Sequence, residues 1–377
     1  MTVFLIIIVV ALFAITIWQL TKIFQLSRST NSLESGEVAT DKDNRMQGNI
    51  LLAFGIAFYI FMLYNFWNFG DRALPAASSE HGSQYDNLLL ITMAVIMIVQ
   101  VITQGLLYYF SFRYKGEKGK KALFFADNDK LEFVWTIIPV IVLAGLIIYG
   151  LFTWSDIMDV AEEDDPIVIE LYAQQFNWTA RYAGEDNVLG KANVRFIEGS
   201  NSLGVDVSDQ YGYDDVIVGE LHLPVNRPVL FKLRSQDVLH SAYFPHFRAQ
   251  MNVVPGMITQ FSFTPTVTSE EIRETEYMRE KVARIQGIRK EKNAEFVAQG
   301  AEELAPYNEF DYYLLCNKIC GVAHYNMQMK VIVESQADFD AWMAEQKKFE
   351  DTMEPLDGAT AASESSKNEV EVAQVEQ

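Results

Sequence analysis

Cysteine is nearly missing from this chain. Its 377 residues hold two, Cys316 and Cys320, so a disulfide scaffold is excluded, although that single pair could close in an oxidising compartment. Histidine is also scarce, with five residues, and there is no Cys-x-x-Cys-His run; haem attachment within the chain is therefore excluded. Positive charge is in short supply, and the formal net charge is −20. A nucleic-acid backbone requires basic contacts, so that partner class falls away, whereas steering of a basic protein partner is allowed. Acids are sparse in the first 155 positions, where apolar residues accumulate, and frequent from Asp156 onward. A membrane part is joined to an acidic, water-exposed part.

Four apolar stretches can each cross about 30 Å of hydrocarbon: Val3 to about Phe24, Ile50 to about Phe69, Leu88 to about Phe110, and Phe133 to about Phe152. The first lacks a basic leader and a small-residue cleavage site, which favours a retained helix over a signal peptide. No cysteine lies near it for lipoprotein processing. Arg113, Lys115, Lys118, Lys120, Lys121 and Lys130 occupy the third connection, whereas Asp71 to Asp86 offers only Arg72. The positive-inside rule then places both termini outside.

The two cysteines belong to a dense motif. From Cys316, offsets of 4, 8 and 11 give Cys320, His324 and Met327. Thiolate and thioether ligands select copper, zinc or iron–sulfur centres, and adding imidazole favours copper electron transfer. Two thiolates can bridge two ions, and His240 would provide a second nitrogen ligand. The same donors are compatible with another metal site.

With the membrane helix pair before it, this motif resembles subunit II of the haem–copper cytochrome c oxidases, from about residue 88 to about 348. The resemblance implies a dinuclear copper A centre held by His240, Cys316, Cys320, His324, Met327 and the main-chain carbonyl of Lys318. The family usually has glutamate at position 318, shared with a magnesium ion. Lysine has donors and no acceptor, so that magnesium link is not expected. The segment Gln174 to Tyr182 resembles the family's aromatic strand. Phe176 aligns with the tryptophan that usually receives the electron, and Trp178 with its neighbour. Glu132, in Glu132-Phe133-Val134-Trp135, resembles the mouth of a proton-uptake channel; an interfacial carboxylate capping a helix is the other reading. The implied partners are a haem-containing catalytic subunit I, a subunit III and a c-type cytochrome. Asn252 stands where an acid normally helps bind soluble cytochrome c, which favours a donor held at the membrane or in a supercomplex. The implied location is a bacterial inner membrane, with the copper domain on the periplasmic side.

After the membrane part, short apolar runs between Gly, Pro and Asn turns read as an antiparallel barrel or sandwich. They include Ile167–Leu171, Asp215–Gly219, Val229–Arg234, Met257–Phe263, Phe310–Leu315 and Met327–Ser335. The resemblance narrows this to an all-β cupredoxin-like Greek-key domain behind a membrane α-helical anchor. Residues 266–304 break the pattern with Glu, Lys, Arg and Ala, and apolar positions three or four apart, predicting one long helix or a helical hairpin. This insertion lengthens the His240-to-Cys316 interval. The chain therefore divides into 1–87, two extra helices and their connections; 88–155, a transmembrane hairpin; 156–265 with 305–348, the copper domain; 266–304, the charged insertion; and 349–377, a disordered acidic tail. The principal function this implies is electron acceptance in a respiratory terminal oxidase. A membrane-anchored copper chaperone or assembly protein would use the same thiols.

Overall fold

The computed structural model describes residues 2–29, 40–158 and 165–352. Most of the acidic stretch after Asp156 and most of the acidic tail (159–164 and 353–377) lie outside the described residues. Four helices come first: α1 (Thr2–Ser29), α2 (Asp41–Ala73), α3 (Gly82–Arg113) and α4 (Asp129–Met158). Among the described residues, α2, α3 and α4 are long and apolar enough to cross a membrane, and α1 carries the shorter apolar stretch Val9–Phe24. Each helix exceeds its apolar window because polar flanks continue the turns beyond the hydrocarbon.

The chain forms two compact units. One comprises Met1–Asp71 and Met93–Thr136, the other Arg72–Thr92 and Ile137–Gln377. In the first, α2 and α3 pack closely: a Cβ on Gly55 would lie 2.4 Å from the Tyr108 ring. The Tyr59 hydroxyl donates to the Val101 carbonyl at 3.2 Å.

The second unit is built on two five-stranded sheets. Its strands are β1 (Ile167–Gln174), β2 (Asn177–Tyr182), β3 (Val216–Val218), β4 (Leu221–Pro224), β5 (Val229–Ser235), β6 (His240–Phe244), β7 (Ala249–Val253), β8 (Thr259–Phe263), β9 (Tyr312–Cys316) and β10 (Gln328–Glu334). One sheet has the order β3-β2-β1-β5-β8 and the other β4-β10-β9-β6-β7. The predicted antiparallel pattern holds except for β1 with β5 and β4 with β10, which are parallel. After β3 the chain runs β4 in the second sheet and returns as β5 beside β1, in β1's own direction. This crossover is the Greek-key feature that short-range periodicity does not reveal. A curled β-domain of cupredoxin-like form results.

Alternation along the strands separates the two faces of the first sheet. Ile169, Leu171, Trp178, Ala180, Phe231 and Leu233 enter the main core. Glu170, Tyr172, Arg181 and Arg234 share the opposite face and are buried as well. Residues 183–214, irregular apart from two short 3-10 turns, cover them: Leu203 and Val205 pack with Tyr172 and Phe349.

Two further segments complete this unit. The strap at 74–86 was assigned on sequence to the extra helices and their connections, yet it joins the β-domain. Ser78 N–H donates to the His246 carbonyl at 2.7 Å, and the Tyr312 hydroxyl donates to Ser78 Oγ at 3.0 Å. Arg248 donates to Asp86 at 2.7 Å and to the Pro75 carbonyl. The 266–304 region forms the short α5 (Ser269–Glu274) and the long α6 (Glu276–Ala298). Thr268 and Glu271 close a capping box that starts α5. Ile272 and Met278 are buried in the core, while the far half of α6 is tied to the returning chain by Asn293 with Leu304 and Gln286 with Tyr307. Beyond β10, α7 (Gln336–Ala344) packs Phe339 inward, and α8 (Phe349–Thr352) follows.

Candidate metal centre

The centre is assembled from the start of β6, the end of β9 and the loop between β9 and β10. His240 opens β6 and is fully buried. Cys316 ends β9, where its N–H donates to the Met327 carbonyl at 3.1 Å, closing the loop at its neck. Asn317 N–H donates to Ser241 O at 3.0 Å and ties that loop to β6. Gly321 has φ +147°, and a Cβ there would lie 2.7 Å from the Phe176 ring. Glycine is required at this turn for its backbone conformation and for lack of space.

The loop brings the side chains together. Cys316 Sγ lies 3.8 Å from His240 Nδ1, 3.9 Å from Cys320 Sγ and 3.2 Å from the Lys318 carbonyl oxygen. Cys320 Sγ lies 3.6 Å from His324 Nδ1 and 3.8 Å from Met327 Sδ. Both thiols are free. Ligand atoms of His240, Cys316 and Cys320 all fall within 4.8 Å of one another, a group able to hold a metal ion. All six groups singled out in the sequence are thus neighbours, with the thiols in the middle and one imidazole beside each.

Burial and the neighbouring Cys316 push the Cys320 thiol up to about 11. A metal ion entering here displaces protons from sulfur. His240 Nε2 is 2.8 Å from Asp237 Oδ1. Burial alone would raise the Asp237 carboxyl, but hydrogen bonds from His240 and from the Gln175 and Val238 N–H groups hold it below the usual range. That bond fixes the ring and leaves Nδ1 toward the thiols. The Gln175 N–H donates to Asp237 at 2.7 Å, and its side-chain amide donates to the Cys320 carbonyl. One residue between β1 and β2 therefore braces both halves of the site. Sequence reasoning left Asp237 and Gln175 unassigned; a carboxylate three residues before a ligand histidine was the available signal.

Phe176 rests on the Gly321 backbone. Trp178 is buried, with its ring centre 6.2 Å from that of His240. Glu132 lies elsewhere, exposed in the first turn of α4, where its carboxylate accepts from Asn128 N–H at 3.4 Å. His246 packs edge-on against Phe310 and Tyr312. His222 stacks on Trp342 and bonds Glu334 at 2.8 Å.

A family model described as the transmembrane domain of cytochrome C oxidase subunit II matches residues 64–152, and one for its periplasmic domain matches 167–272. The chain is 32% identical over 302 residues to an alternative cytochrome c oxidase subunit 2 of Bradyrhizobium diazoefficiens, covering 80% of this chain and 91% of that one. With the cytochrome c oxidase subunit 2 of Cereibacter sphaeroides it shares 23% identity over 288 residues, 73% of this chain and 78% of the relative. Among solved structures, the periplasmic domain of subunit II of cytochrome oxidase from Bradyrhizobium japonicum aligns at 18% identity and a TM-score of 0.28, over 50% of this chain and 94% of that one.

Proposed function

Because the chain belongs to the cytochrome c oxidase subunit II family, with a multi-pass membrane anchor and a periplasmic β-domain, we propose that it is the subunit accepting electrons from a c-type cytochrome. It hands them to haem in the catalytic subunit, where oxygen is reduced and protons are pumped. The observation that carries this reading is the unbroken run of contacts from His240 through Cys316 and Cys320 to His324 and Met327, each 3.6–3.9 Å. Two central thiols with an imidazole beside each fit a dinuclear copper centre, because soft sulfur and imidazole donors suit copper and no carboxylate is among the six groups. His240, Cys316, Cys320, His324, Met327 and the Lys318 carbonyl would hold it. When bound, such a centre supplies a one-electron carrier whose charge is shared by two ions.

The protein's own contribution is rigidity. His240 and Cys316 sit on paired strands, Asp237 holds one imidazole, and the neck of the loop is closed by the Cys316–Met327 backbone bond. Ligands held this way move little when charge changes, which fast electron transfer requires. Phe176, on the loop backbone, and Trp178, beside His240, are the candidates for the path by which electrons arrive. Glu132 is the candidate for proton uptake from the other side of the membrane, despite its contact with the helix start. Position 318 provides a carbonyl and a cationic side chain, so a magnesium ion shared through this residue is not part of the proposal. The partners are the haem-bearing subunit I, subunit III and a c-type cytochrome held at the membrane or in a supercomplex.

Electron paramagnetic resonance of the copper-loaded full chain tests the proposal. Hyperfine splitting from one electron shared over two copper nuclei is the expected result. A spectrum of one isolated copper, taken up reversibly, would instead identify a membrane-anchored chaperone.

A further inference from the structure

The connection between α3 and α4 carries an apolar triplet that no other part of the first unit covers among the described residues. Leu123, Phe124 and Phe125 are 84%, 91% and 77% exposed. They follow Lys115, Lys118, Lys120 and Lys121, which outnumber the loop's acids Glu117 and Asp127, and Arg113 and Lys130 stand on the bounding helices. Its first half is clamped by the start of α2: Lys118 N–H donates to Asp41 Oδ1 at 2.8 Å, and Asn44 Nδ2 donates to the Gly116 carbonyl at 3.1 Å. Within the loop, Lys120 pairs with Glu117. The triplet lies beyond the clamp, before Asn128 caps α4.

We propose that Leu123, Phe124 and Phe125 form a wedge that seats this loop in an anionic phospholipid surface, with the adjacent lysines supplying the charge attraction. Both helices bounding the loop are long and apolar enough to span a bilayer, so its ends are fixed at the depth of the headgroups. Three adjacent large apolar side chains in water are unfavourable, but at that depth they enter the boundary between headgroups and acyl chains. Cations next to an apolar wedge match a negative lipid surface and would repel a basic protein face. The clamp from α2 gives the second extra helix a purpose: it holds the loop so that the triplet projects. The inference uses only the membrane reading of α3 and α4, so its failure would leave the copper assignment intact, and the reverse.

The test is photo-crosslinking of the full chain carrying p-benzoylphenylalanine in place of Phe124, in vesicles of equal phosphatidylglycerol and phosphatidylcholine. The same group in place of Ile98, inside α3, reports on insertion. At position 124 the expected products are phospholipid adducts, with phosphatidylglycerol favoured about two-fold or more. Combining K118Q, K120Q and K121Q should bring that ratio to about one without changing adducts at position 98. Lipid adducts at 98 without any at 124 would overturn the wedge, and equal capture of both lipids by the parent would overturn the charge selection. In membranes holding the assembled oxidase, adducts at 124 on a protein subunit would assign the triplet to a protein contact instead.

Discussion

Two polar clusters are withdrawn from water in the periplasmic unit, and they differ in how their charges are balanced. On the outer face of the first sheet, Glu170, Arg181, Arg234 and Asp215 pair with one another. Arg181 donates to Glu170 and Asp215 at 2.9 Å each, and Arg234 donates to Glu170 at 2.8 Å. Formal charge cancels within the cluster. At the β9–β10 loop, thiols, imidazoles and a thioether converge at 3.6–3.9 Å, and no cationic side chain is among them. Converging lone pairs without an internal cation call for an external one. A self-neutralised cluster does not, even when it is more deeply buried and more highly charged. The identity of the nearest neighbours, rather than burial or charge density, separates a metal site from a structural one.

The sharpest way to break this comparison is to replace both sulfurs. Cys316→Ser with Cys320→Ser should abolish copper uptake, measured by metal analysis of the purified chain. Both sulfurs are also core groups, so the unloaded double variant should keep its fold at a cost of about 1–3 kcal/mol for each buried hydroxyl left without a partner. Copper retained by the folded double variant would show that the thiols are not its ligands, and the contrast would fail. Arg181→Met applies the opposite test. It leaves Glu170 and Asp215 buried without their shared cation, and should cost about 3–5 kcal/mol, read as a lowered thermal midpoint in detergent. Metal stoichiometry in the surviving folded fraction should not change. A smaller effect is expected from Asp237→Asn, which retains a hydrogen-bonding group beside His240 but removes its charge. Copper affinity should fall about 10–100-fold, measured by competition with a chelator of known strength.

The two clusters were also unequally legible in the sequence. Cys316, Cys320, His324 and Met327 lie within one loop, and their residue types are rare enough to advertise themselves. His240, 76 residues before Cys316, is offered by its residue type as a second nitrogen ligand, and the family resemblance implies its place in the set. The quartet gave no such signal, because Glu170, Arg181 and Arg234 sit in strands where alternation makes a polar residue read as solvent-facing. Their burial depends on residues 183–214, a covering segment without helical or strand periodicity. The strap was hidden for a similar reason: Ser78 and Ser79 look like an ordinary outer loop, and their bonds to His246, Phe247 and Tyr312 join positions more than 160 residues apart. The β1–β5 and β4–β10 pairings likewise depend on crossovers. Local chemistry was readable, and long-range closure was not.

A last test asks whether the quartet is fully neutralised. Glu170 receives both arginines, and although burial would raise its carboxyl, they hold it below the usual range. Asp215 shares only Arg181, and burial pushes it up from 3.8 to about 7 despite that cation. A carboxyl raised in the folded state binds a proton that the unfolded chain has already released. This group therefore favours folding at acidic pH, and its contribution is lost as pH rises from about 4 to about 7. Glu170 acts in the other direction: its contribution is present above the ordinary glutamate range and lost as pH falls below it. Asp215→Asn mimics the protonated form, so at pH 5 it should be nearly neutral. By pH 8 its stability relative to the parent should improve by about 2 kcal/mol, seen as a thermal midpoint that no longer falls across that interval. An unchanged slope would mean that Asp215 is ionised throughout, with Arg181 balancing it as completely as the arginine pair balances Glu170.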